Sequence, residues 1–224
     1  MHEIWARIER WLRANAPEIH ASLRPGAPDA EIEALEERIG VRLPDDVRES
    51  LRIHDGQEHG TAGLYEGSEL LSTRHIADEW QVWKELLDDG TFDDWERNPD
   101  PGVRADWWNP RWIPLTHDAG GNHDCLDLDP APGGREGQII SLWHDEATRS
   151  VLAGSYREWL SRFADRLEAG SYAVDEHGWL VGAEDAAEER PPEVEERPVD
   201  GVNRGGCLKA LFLLPLSLPW KTFS

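Results

Sequence analysis

The sequence predicts an α+β fold of several helices and a run of short strands. Three observations predict it. Apolar residues recur at helical spacing through residues 4–87, short strand-like runs separated by Gly and Pro turns fill residues 112–154, and one further amphipathic stretch closes the series. Helices, then strands, then a helix is the order of an α+β domain, whereas βαβ units would alternate.

The elements follow in chain order. Ile4, Trp5, Ile8, Trp11 and Leu12 form one helical stripe. In "APDAEIEALEERIGVRLP", Asp29 is the expected N-cap, Ile32, Leu35 and Ile39 share a face, and Gly40 sits where a glycine ends a helix. "DDVRESLRIHDG" is a second short helix capped by Asp45 and stopped by Gly56, with Val47, Leu51 and His54 inward. "GLYEGSELLS" holds a short strand, and Ile76, Trp80, Trp83 and Leu87 mark another helix. Residues 88–110, rich in Asp, Gly, Pro and Asn, are expected to be a loop. Strands are expected at residues 112–116, 124–128 and 138–143, then at "SVLAG". "SYREWLSRFADRLEAG" is the last helix, with Ser155 and Glu158 at capping-box spacing.

The globular domain is expected to span residues 1–182. Residues 183–204 read as a disordered acidic Pro/Glu-rich linker, and residues 205–224 as a short apolar tail. That tail carries Lys209 and is broken by Pro215 and Pro219, and it is shorter than the roughly 20 apolar residues of a spanning helix. A docking peptide, a peripheral membrane contact and a non-native extension all remain open for it. The N-terminus lacks an apolar signal core, and two cysteines, Cys125 and Cys207, are too few for a disulfide framework. A reducing cytoplasm is therefore expected.

The net charge is −22, of which residues 1–182 carry −19. Like charge argues against direct binding to nucleic acid or anionic membrane. It suits a basic protein partner, and it equally serves solubility.

The most suggestive chemistry lies in "WIPLTHDAGGNHDCLDLDP". His117, His123 and Cys125 are candidate metal ligands, with His144 a possible fourth, but the spacing matches no zinc motif and there is no CxxC or HExxH. The stretch also lacks the EF-hand pattern for calcium. The simpler reading is a turn: Asp118 and Asn122 supply hydrogen bonds while Gly120 or Gly121 takes positive φ. Strand alternation puts Cys125, Asp127 and Asp129 on one face and Leu126 and Leu128 on the other. Ser155 follows Gly154 without a GxSxG elbow, and no phosphate-binding loop is present. No catalytic residue, metal or cofactor is expected.

The aromatic residues give a second signal. Trp107 and Trp108 in "WWNPRW" either cover the sheet as core or anchor a partner. The run Asp88, Asp89, Asp93, Asp94, Trp95 and Glu96 is either a solvated face or an acidic binding surface with Trp95 at its centre.

In order, these pieces resemble the Smi1/Knr4 family, or SUKH superfamily, over about residues 28–168. "EIEALEERIGVRLPDDVRESLRIHDG" is similar to the family's opening helix, Leu-Pro turn, second helix and closing Asx-Gly. "WNPRWIPLTHDAGGNHDCLDLDP" resembles its Trp and Ile-Pro leading through a Gly-rich turn to an Asp-terminated strand. "GREGQIISLWHDE" and "SYREWLSRFADRL" resemble its Gly-Gln strand, His-Asp turn and final helix. The resemblance implies an α+β fold, a mainly antiparallel sheet packed against several helices, and a protein-binding module without a shared enzymatic mechanism. Bacterial members are mostly regarded as immunity proteins against polymorphic toxins, and fungal members as regulators of cell-wall synthesis and signalling. The expectation is an immunity protein neutralising a basic toxin such as a nuclease. The alternative is a regulatory scaffold, and the third reading is an enzyme or metal-binding protein using His117, His123 and Cys125.

Overall fold

In the computed structural model, residues 1–184 are described, all within a compact unit that starts at Met1. The acidic linker and apolar tail expected from the sequence lie, beyond Glu184, outside the described residues.

The helices are α1 (His2–Asn15), α2 (Pro17–Ser22), α3 (Asp29–Ile39), α4 (Asp45–Ile53), α5 (Thr73–Asp88) and α6 (Tyr156–Glu168). Two helix starts differ from expectation by one residue. Pro28 and Pro44 occupy the cap positions, and Asp29 and Asp45 are the first helical residues. There each carboxylate still favours the positive helix end, and Asp29 also accepts from Arg52 Nε at 2.7 Å. Ser155 caps α6 as expected, accepting from the Glu158 amide at 3.1 Å. Glu158 returns the bond one residue early, to the Gly154 amide at 2.8 Å. Pro17 opens α2 as a separate short helix, which the sequence reading did not separate from α1.

The central sheet has the order β3 (Trp112–Pro114), β5 (His123–Asp127), β6 (Gln138–Leu142), β8 (Val151–Ala153), antiparallel throughout. Smaller pairs flank it. β1 (Glu69–Leu70) pairs antiparallel with β4 (Thr116–His117), and β9 (Tyr172–Val174) with β10 (Leu180–Gly182). The last hairpin was not read from the sequence. β2 (Asn98–Pro99) runs parallel to β7 (Thr148–Arg149), so residues 88–110 are not wholly loop.

Both faces of the sheet are covered. On α5, the Trp83 indole donates to His123 at 3.0 Å; on α6, the Trp159 indole donates to Asp124 at 2.9 Å. Successive residues of a strand point to opposite faces, so the two helices flank β5. Cys125, Leu126 and Asp127 are each 0% exposed. The expected alternation thus separates two buried faces, not a core face and a wet one. Asp127 tolerates burial because its neighbours in register are donors: Trp112 Nε1 at 3.1 Å and Gln138 Nε2 at 2.8 Å. Burial still pushes its pKa up, against the Asp129 amide and these two donors.

Two buried polar chains fix the helices. The Trp5 indole donates to Ser50 Oγ at 2.8 Å, and Ser50 Oγ meets the Tyr156 hydroxyl at 2.8 Å, tying α1, α4 and α6. Past α4, Gly56 has φ +66, and a Cβ there would meet the Leu71 carbonyl carbon at 2.5 Å, so only glycine fits. Asp55 accepts from the Thr73 amide at 2.7 Å. Gln57 is 0% exposed; its Oε1 accepts from the Leu64 and Leu70 amides, and its Nε2 donates to Ser22 Oγ and the Ala62 carbonyl. This clip sets residues 57–61, β1 and the start of α5 beside one another.

Candidate protein-binding surface

The acidic run begins at the end of α5. Asp88, Asp89, Asp93, Asp94 and Glu96 are all exposed. Asp88 pairs with Lys84 at 2.5 Å, while the other four make no ion pair among the described residues. The loop has an apolar interior: Phe92 is 4% exposed, and Arg97 Nη2 donates to its carbonyl at 2.6 Å. Trp95 sits over that interior, edge-on to Trp107 at 4.4 Å and to Phe92 at 5.4 Å between ring centroids. It remains 39% exposed. On α5, Val82 and Leu86 are also exposed and, four residues apart, share a helix face.

Trp107 and Trp108 are core residues, at 5% and 2% exposed. Of the two readings left open for them, the packing favours core, since burial leaves little surface to offer a partner. Trp108 meets Trp80 and Trp83, and Trp107 underlies Trp95. Trp107 is held further by Arg149, which is 0% exposed and lies 4.8 Å from the Trp107 ring. The Arg149 guanidinium donates to the Trp107 carbonyl from Nε and Nη2 and to the Glu146 and Thr148 carbonyls from Nη1. Burial lowers its pKa to about 10, which still leaves it charged near neutrality. Nothing in the short segment "ATRS" signals a buried cation.

A second feature, a cleft of about 450 Å³, lies between the Gly-Gly turn and α6. Asp124 and Trp159 line it, with Tyr65 stacked on Trp159 at 4.1 Å. Trp143 and Leu152 also line it, at 49% and 37% exposed, as do Arg162 and Arg166. Burial raises the Asp124 pKa to about 7 against the Trp159 bond, with Glu66 adding to the rise. Of the residues weighed as metal ligands, His123 alone lines it.

The turn itself follows the simpler reading. Asp118 Oδ1 accepts from the Gly120 and Asn122 amides at 2.7 and 3.0 Å, and Gly121 takes φ +97. Burial works against the Asp118 charge, but the Asn122 and Gly120 donors outweigh it and lower its pKa. His117 and His123 stack at 5.3 Å. His123 is committed on both nitrogens: Nε2 accepts from Trp83, which leaves Nδ1 to carry the proton and donate to the Thr116 carbonyl at 2.6 Å. Glu79 lies 3.7 Å from Nε2, but the indole already fills that lone pair, so the ring stays neutral. Burial agrees, lowering the His123 pKa to about 4. The Cys125 thiol is fully buried, which raises its pKa well above the usual range and keeps it protonated. These three residues therefore do not offer a shared set of free ligand atoms. His144 bonds instead to Asn122.

An antiparallel sheet clad by helices on both faces, with an acidic aromatic loop and an open cleft, defines an α+β domain. The chain belongs to the SMI1 / KNR4 family (SUKH-1), whose profile matches residues 26–162. It is 35% identical over 78% of its length to the cell wall biosynthesis/cell cycle regulator smi1 of Schizosaccharomyces pombe. It is 31% identical over 77% of its length both to the glucan synthesis regulatory protein of Neurospora crassa and to the cell wall assembly regulator SMI1 of Saccharomyces cerevisiae. The matches cover 37%, 39% and 42% of those three relatives. These relatives are named as regulators, not as enzymes. Among the described residues, no helix is long and apolar enough to cross a membrane.

Proposed function

We propose that this chain is a regulatory protein-binding domain without catalytic activity, engaging a basic partner through the acidic face around Trp95. The observation that carries this reading is Trp95 itself, 39% exposed and seated on Trp107 and Phe92 within a run of exposed acids. An indole already held by packed aromatics loses little freedom on binding, so more of its contact energy reaches the complex. The acids speed encounter with a partner of opposite charge. The regulatory part of the reading draws on the names of the relatives, which favour it over the expected immunity protein and lend no support to a toxin partner. The inferred setting is the cytoplasm.

The test uses the chain as bait in three forms: unchanged, Trp95→Ala, and a charge-neutralised form (Asp88→Asn, Asp89→Asn, Asp93→Asn, Asp94→Asn, Glu96→Gln). For a partner recovered by the unchanged chain, neutralisation should slow association, and the difference should shrink as salt rises. Trp95→Ala should mainly speed dissociation, by roughly thirty-fold if the anchor contributes about 2 kcal/mol. Unchanged rates in both variants, with only a lower melting temperature for Trp95→Ala, would remove this face from the reading.

A further inference from the structure

We propose that His59, Glu69 and His75 form a binding site for a divalent transition-metal ion of the zinc type. Each offers a ligand atom, and the three atoms lie within 4.8 Å of one another. The site joins three elements that only the tertiary fold brings together. His59 stands in the turn held by Gln57, Glu69 is in β1, and His75 is in the first turn of α5.

The carboxylate is the buried centre. The Glu69 side chain is 9% exposed, while those of His59 and His75 are 68% and 28% exposed. His59 Nδ1 lies 3.0 Å from Glu69 Oε2, and the Gly60 amide donates to the same oxygen at 3.3 Å. His75 supplies the second, independent observation. Its Nδ1 is buried without a hydrogen-bond partner, 3.5 Å from Glu69 Oε1. A buried ring nitrogen with no partner costs free energy, and a metal ion against the carboxylate would satisfy it. The two imidazoles meet edge to face, centroids 4.8 Å apart, and one nitrogen of each lies within 4.8 Å of the other and of a Glu69 oxygen.

The ligand types choose the metal. Two imidazoles and one carboxylate suit zinc and its neighbours, whereas calcium and magnesium take oxygen sets. Three protein ligands leave a fourth tetrahedral position for water, which the exposed His59 side opens to solvent. Metal–ligand bonds of about 2.0–2.2 Å put tetrahedral ligand atoms roughly 3.3–3.6 Å apart. The set must therefore contract, and His59, on an exposed turn, is free to move. The amino end of α5 opposes a cation, weakly at such exposure. The Glu69 charge and the overall −22 work the other way. Binding would pin the 57–61 turn to β1 and α5, so its first effect is on stability.

The probe is zinc added to the chelator-stripped chain of 224 residues, followed by calorimetry, thermal unfolding and X-ray absorption. The expected result is about one zinc per chain, a higher melting temperature, and a nitrogen/oxygen shell without sulfur at about 2.0–2.1 Å. His59→Ala and His75→Ala should each weaken binding roughly tenfold or more, as should Glu69→Gln. His117→Ala, opposite Glu69 in the β1–β4 register but outside the trio, should leave affinity unchanged. No stoichiometric binding overturns the site, as does a sulfur ligand in the absorption spectrum. Binding that survives His59→Ala, an exposed position whose loss spares the fold, overturns it as well.

Discussion

Replacing Arg149 with Met should destabilise the domain by about 3 kcal/mol, a fall in melting temperature of roughly 6–12 °C at this size. Two effects compete. Methionine removes a buried charge that has no carboxylate partner among the described residues, and such replacements are often neutral or stabilising. Against that, it leaves the buried Trp107 carbonyl and the part-buried Glu146 and Thr148 carbonyls without their donors. Each unsatisfied group costs about 1–3 kcal/mol. The charge is also eased where it stands, stacked on the Trp107 ring and placed in a strongly acidic domain. The orphaned carbonyls therefore win. Arg149→Lys should fall between, because an ammonium keeps the charge but cannot reproduce the planar fork. Chemical denaturation of both variants gives the free energies. Limited proteolysis supplies a second readout, since loss of the Trp107 clamp should hasten cleavage within residues 88–96. Wild-type stability for Arg149→Met would show that the clamp contributes nothing net.

What the sequence made legible follows from periodicity. The stripes of α1, α3, α4, α5 and α6 were readable because a helix repeats its inward face every three or four residues. Turn chemistry was readable at Asp118, Gly121 and Asn122 for a local reason, since those hydrogen bonds span only a few residues. The interior of residues 88–110 was not, because irregular backbone imposes no period on Phe92, Val103, Trp107 and Trp108, and all four point inward. Asp127 looks like a surface residue until the register places Trp112 and Gln138 beside it. The same limit governs the sites. His117 and His123 flank one hairpin, so their approach could be foreseen, although not that Trp83 and Thr116 would consume both His123 nitrogens. His59, Glu69 and His75 come from a turn, a strand and a helix. Their spacing in the chain carries no sign of their meeting.

Asp124→Asn should stabilise the domain above neutrality and leave it nearly unchanged in acid. Asp124 and His123 are consecutive residues on opposite faces of β5, the first half-buried and the second buried, and desolvation moves their pKa values past one another. Burial lifts Asp124 to about 7, opposed by the Trp159 indole and helped by Glu66. It drops His123 to about 4, opposed by the Thr116 carbonyl. The signs are opposite. The folded-state pKa of Asp124 lies above its ordinary 3.8, so its contribution is fully present below about pH 4 and is lost as pH rises through 7. The folded-state pKa of His123 lies below its ordinary 6.5, so its contribution is present above that value and is lost as pH falls through 4. Between about pH 4 and 6.5 the two slopes largely cancel in the wild-type chain. Asparagine keeps an oxygen for the Trp159 N–H but cannot ionise. In Asp124→Asn the His123 slope stands alone, and stability relative to wild type should climb with pH, by roughly 3 kcal/mol between pH 4 and pH 8. His123→Asn should tilt the other way, its difference from wild type becoming more favourable as pH falls, whatever the ring's loss costs in packing. Denaturation free energies measured across that range for the three proteins supply the slopes. Parallel curves for Asp124→Asn and wild type would mean that Asp124 titrates like an exposed carboxylate and that the floor of the cleft is wet.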